Sequence, residues 1–97
     1  VLVESYRNEY IVQHLMKNHT PLSEINVGQT AIIQNVRASE LKVKLMERGL
    51  IKGKTLQLLY RAPFGDPIAF DVEGYVLSLR LDEAMLIDVE IQTSEGS

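Results

Sequence analysis

The chain contains no cysteine. Disulfide staples, thiolate metal sites, iron–sulfur clusters and cysteine nucleophiles are excluded, so the core must carry the stability by itself. Long apolar runs are also missing. The longest, Ala84 to Ile87, falls far short of the ~20 residues a transmembrane helix needs, and no direct membrane insertion is expected. Glu4, Arg7 and Glu9 interrupt the apolar residues at the start, so no secretory signal is read and a cytoplasmic location is the expectation. The glycines never fall as Gly-x-Gly-x-x-Gly or ahead of Lys-Ser/Thr, which removes the signature of a nucleotide site. Histidine is scarce. His14 and His19 cannot supply a nucleophile, base and orienter between them, and an enzyme is not expected. Five residues apart, they lie well around a helix from one another, whereas paired metal-binding histidines want a spacing of four. They are nevertheless the only candidate metal ligands the sequence offers beyond its carboxylates.

What is present is one domain's worth of chain: 97 residues, 45% hydrophobic and 24% charged, the composition of a globular protein. The formal charge of -3 hides a strong asymmetry. Residues 1–36 balance to -1. Residues 37–61 carry seven cations against two anions, a balance of +5, and residues 62–97 carry Arg80 alone against eight acids, a balance of -7. A basic face on an acidic chain suits docking onto an acidic or phosphate-bearing partner; the plainer alternative is that these lysines solvate a surface helix. Nucleic acid is not the expected partner, because Arg37 to Lys54 contains no interleaved aromatic residue.

Periodicity divides the chain into short elements. Tyr6, Tyr10, Ile11 and Leu15 mark an amphipathic N-terminal helix over about Val3 to Asn18, closed by Pro21, with His19-Thr20-Pro21 as a connector. Thr30 to Val36 reads as a strand. Ser39 then stands as N-cap of a short helix placing Leu41, Leu45 and Met46 on one side, and Gly49 ends it with Leu45 and Leu50 in Schellman contact. Thr55 to Tyr60 is a strand with Leu56, Leu58 and Tyr60 on one face. Arg61 to Pro67 is a constrained loop, followed by a hairpin of Ile68–Val72 and Tyr75–Leu81 around Gly74. Asp82 caps a single helical turn, and Met85 to Ile91 closes as the last strand. About five strands, one internal helix and the extra N-terminal helix follow. Closure into a small barrel hides the most strand edge.

Certain motifs go further. Leu-Met-Glu-Arg-Gly-Leu-Ile-Lys-Gly-Lys-Thr-Leu from Leu45, Arg-Ala-Pro-Phe-Gly-Asp-Pro from Arg61 and Gly-Tyr-Val-Leu-Ser-Leu-Arg from Gly74 resemble the ferrous iron transport protein A (FeoA) family, as does the lead-in from Pro21 to Gly28. The resemblance covers about three quarters of the chain. It implies a mainly β, SH3-like barrel over 21–92; the helical pattern read from the residues makes 1–20 an N-terminal extension outside the family pattern, and 93–97 is expected to be a disordered tail. It further implies a small cytoplasmic accessory or regulatory protein that binds the cytosolic part of the GTPase-containing ferrous iron permease. No cofactor is implied; for Fe(II) or another divalent metal the candidates are His14 and His19, together with the acidic strands. Among the matching positions, Asp66 is read as an Asx-turn and Arg80 as a cross-strand partner for Asp71 or Glu73, or for an acidic partner.

The candidate partner-binding residues are Lys42, Lys44, Arg48, Lys52, Lys54, Arg61 and Arg80. The N-terminal helix, which many family members lack, offers Tyr6 and Tyr10 for packing on the barrel, for homo-oligomerisation or for the partner. Two alternatives stand beside this reading. One is the related SH3-like domain of iron-dependent transcriptional repressors, for which twenty preceding residues are too few to hold a winged helix-turn-helix. The other is a generic protein-binding small barrel.

Overall fold

The computed structural model describes residues 20–93. The expected N-terminal helix, His14, His19 and nearly all of the expected tail lie outside the described residues.

Alternation of apolar and polar residues builds the strands, and the apolar positions meet in one core. Six strands form a single antiparallel sheet in the order β1-β6-β2-β3-β4-β5. They are β1 (Thr20–Pro21), β2 (Thr30–Val36), β3 (Thr55–Arg61), β4 (Ile68–Val72), β5 (Tyr75–Leu79) and β6 (Ile87–Gln92). Ala31 and Ile33, Leu56 and Leu58, Ile68 and Phe70, and Ile87 and Val89 point inward and are fully or almost fully buried. Two bulges help the sheet curl around them, one between Ile33 and Asn35 against β6 and one between Leu58 and Tyr60 against β4.

The sixth strand is a correction: Thr20–Pro21 is not a connector but pairs with Val89 and Asp88. Two residues carry no periodicity to read, and proline is tolerated because this is an edge. A single turn of 3-10 helix, Leu22–Glu24, follows and buries Leu22.

The bulge at Leu59 also corrects the face assigned to Tyr60. One extra residue reverses the alternation, so Leu56 and Leu58 enter the core while Tyr60 is 61% exposed.

The internal helix α1 is Lys42–Glu47. Ser39 does not cap it directly. Its hydroxyl accepts the Leu41 N–H at 3.1 Å and its carbonyl accepts the Lys42 N–H at 3.2 Å, forming a turn ahead of the helix. The C-terminal end is the expected Schellman motif: the Leu50 N–H reaches the Leu45 carbonyl, the Gly49 N–H reaches that of Met46, and Gly49 has φ +93°. Leu45 and Leu50 are both fully buried. Met46 is not; it lies on the exposed side of the helix.

The β4–β5 hairpin turns through Glu73 and Gly74, both at positive φ, which the right-handed twist of a two-residue hairpin demands. Leu81 does not continue β5. It opens helix α2 (Leu81–Ala84), where the Glu83 carboxylate, and not Asp82, accepts the Arg80 N–H at 2.9 Å. Glu83 is the one buried charged residue among those described. No buried side-chain nitrogen or oxygen among them lacks a hydrogen-bond partner.

Candidate partner-binding face

The seven cations singled out from sequence divide into two sets. Three hold the fold. Arg48, at the end of α1, donates through Nη2 to the Ser78 carbonyl on the β5 edge at 2.8 Å, and its Nη1 lies 3.6 Å from Glu83 Oε1. Arg61 donates to the carbonyls of Ser23 and Ile25 at 2.8 and 2.9 Å, tying β3 to the 3-10 turn. Lys54 meets Glu73 at 3.4 Å. Glu73 also accepts the Thr55 N–H at 3.0 Å, and that bond, then the Lys54 ammonium, holds its carboxyl below the usual range.

Lys42, Lys44, Lys52 and Arg80 form the other set, with no ion pair or side-chain hydrogen bond among the described residues. Arg80 does not meet the acids across the hairpin. Asp71 accepts the Gly74 N–H at 3.0 Å, and Glu73 is taken by Lys54. Asp66, read as an Asx-turn, instead accepts the Leu81 N–H at 2.9 Å and so ties the 61–67 loop to α2.

Lys42 and Lys52 flank a surface groove of about 180 Å³ between β2 and α1, lined by Gln34, Asn35, Val36, Met46 and Ile51. Lys42 and Met46 share a helical face because they are four residues apart. Met46 and Ile51 are 41% and 40% exposed, so the floor between the lysines is apolar and accessible. Helical periodicity assigned Met46 to the core, and Ile51 sits beside the buried Leu50 with nothing local to separate them. Leu45 takes the inward position on α1, so Met46, about 100° further round the helix, faces the surface, and Ile51 follows the Schellman turn with Leu50 as the inward residue.

Beyond the groove, Arg37 pairs with Asp88 at 2.9 Å, and Gln34 and Asn35 donate to Glu90 and Asp88 at 3.3 and 3.4 Å. The hydrogen bonds that Arg37 donates to Asp88, and then the charge of Asp88, hold the guanidinium still more firmly protonated. A larger depression of about 240 Å³ is lined by Thr30, Thr55, Leu56, Gln57, Asp71 and Glu73, and both of its acids are occupied by bonds already described. Among the described residues no group of three or more His, Asp or Glu could hold a metal ion, and no helix is long and apolar enough to cross a membrane.

The curled antiparallel sheet with its short internal helices is an SH3-like barrel. The FeoA domain model matches residues 20–91, and the chain belongs to that family. Over 77 residues it is 32% identical to the Fe(2+) transport protein A/Fe(2+) transporter FeoB fusion protein of Porphyromonas gingivalis, a match covering 78% of this chain and 9% of that protein. This chain therefore corresponds to a small fraction of the fusion protein's length. Among solved structures it superposes on the FeoA-like protein of Clostridium acetobutylicum with TM-score 0.76 at 32% identity, covering 80% of this chain and 92% of that one. Stenotrophomonas maltophilia FeoA complexed with zinc, described as a procaryotic SH3 domain protein, shares the fold at 23% identity and TM-score 0.66, covering 78% and 99% of the two chains. A manganese-dependent transcriptional repressor shares the fold alone, at 18% identity and TM-score 0.72 over 76% of this chain and 37% of that one.

Proposed function

We propose that this chain is a non-enzymatic accessory protein of ferrous iron uptake that docks on the cytosolic part of the GTPase-containing ferrous iron permease. The observation that carries the reading is the Porphyromonas gingivalis relative, in which a Fe(2+) transport protein A and a Fe(2+) transporter share one polypeptide. Covalent linkage replaces a bimolecular encounter by a high effective concentration, an arrangement expected of parts that work together. The docking surface in this reading is α1 and the loop after it, whose Lys42, Lys44 and Lys52 have no ion pair among the described residues and can meet acidic groups.

Calorimetric titration of this protein into the cytosolic domain of its own organism's permease tests it, with and without a GTP analogue. Saturable binding is the expected result. Absence of binding under both conditions, with the domain shown to be folded, would overturn the reading.

A further inference from the structure

Lysines unpaired among the described residues and an exposed apolar floor coincide, and together they specify a ligand chemistry. We propose that the groove between β2 and α1 takes one apolar side chain of an acidic peptide segment, with Lys42 and Lys52 pairing carboxylates on either side of it. The inference rests on the accessory reading only for which protein supplies the segment.

Volume sets the size of the anchor. An aliphatic-lined space of about 150 Å³ suffices for a benzene-sized group, so the groove of about 180 Å³ admits one leucine- or phenylalanine-sized side chain. Met46 suits such a wall, since its unbranched thioether adapts to whatever enters. Charge sets the flanks. Among the described residues Lys42 and Lys52 have no ion pair or side-chain hydrogen bond, whereas Asp88 and Glu90, beyond the groove's amide rim, are engaged by Arg37 and Gln34. Glu47 stands on the helical face next to that of Met46, outside the groove lining. An anionic bilayer fits less well, because a flat surface would meet exposed Glu40 and Glu47 together with Lys44.

The test titrates the uniformly 15N-labelled whole chain with the capped hexapeptide Asp-Glu-Leu-Leu-Glu-Asp and follows amide shifts by NMR. Saturable shifts centred on Val36, Met46, Ile51 and Lys52 are expected. Replacing both leucines by glycine should weaken binding about tenfold or more, the equivalent of one buried apolar side chain. Ile51→Asp should do the same, and so should Lys42→Glu; both positions lie at the surface, and an unchanged spectrum elsewhere certifies the fold. Equal binding of the glycine peptide, equal binding of Lys-Lys-Leu-Leu-Lys-Lys, or shifts only with phosphatidylserine vesicles would each overturn the proposal. Because no permease is present, peptide binding and permease binding fail separately.

Discussion

The hydroxyl of Tyr75 donates to the Arg48 carbonyl at 2.9 Å and occupies the space that a Cβ at Gly49 would need. One contact thus joins the β5 edge to the end of α1 and fixes the identity of residue 49 twice, by its φ of +93° and by the approach of the tyrosine.

Gly49→Ala should therefore cost more than the ~1–2 kcal/mol of a left-handed alanine alone. Tyr75→Phe removes both the hydrogen bond and the obstruction, and alone should cost ~0.5–1.5 kcal/mol. In the double variant the two losses are expected to sum to less than their separate values, as read from urea unfolding. Strict additivity would mean that the hydroxyl does not crowd residue 49.

Arg48→Ala leaves Glu83 buried without its guanidinium and uncovers the Ser78 carbonyl. Loss of one partner of a buried, hydrogen-bonded charge predicts a cost of ~1–3 kcal/mol. Sedimentation at high concentration should also show weak self-association, since the guanidinium is what blunts the β5 edge. A variant as stable and as monomeric as the parent would refute both parts.

Glu73 supplies a pH signature. Its folded carboxyl titrates below its unfolded value, first because of the Thr55 N–H and then because of Lys54. Its contribution is complete at neutral pH, above the unfolded value of about 4.3, and is lost as pH falls through the folded value. Glu73→Gln should lower the urea midpoint at pH 7 and bring the parent and variant curves together at pH 2–3. Parallel curves across the whole range would contradict this assignment.

Docking should respond to charge. Lys42→Glu with Lys44→Glu is expected to slow association with the permease domain and flatten its salt dependence, leaving stability within about 0.5 kcal/mol of the parent. Unchanged binding and unchanged salt dependence would remove the lysine face from the interaction.

How far these features were legible depended on the range of the forces behind them. The Schellman end of α1 was readable because Leu45, Gly49 and Leu50 are neighbours in sequence. The strands were readable because their core residues alternate. Tyr60 was misplaced because a bulge is a property of two strands, set where Leu58 and Tyr60 meet Phe70 and Ala69. The basic cluster was visible as a charge balance but not as a site. Arg48, Lys54 and Arg61 are engaged by partners far along the chain, at Ser78, Glu73 and Ser23, and only the folded molecule separates them from Lys42, Lys44 and Lys52.

The position of β2 has a consequence for how the molecule is made. It pairs on one side with β3 and on the other with the last strand, Thr30 opposite Gln92 and Val36 opposite Ile87. The β3–β4–β5 meander closes through local hairpins, but one edge of β2 stays open until the end of the domain has been synthesised. A nascent chain halted before Ile87 offers that edge to proteases and to other nascent chains, and Ile33 and Val36 have no Val89 and Ile87 to pack against. The last strand, Ile87–Gln92, thus covers the edge of β2 that the rest of the sheet leaves open.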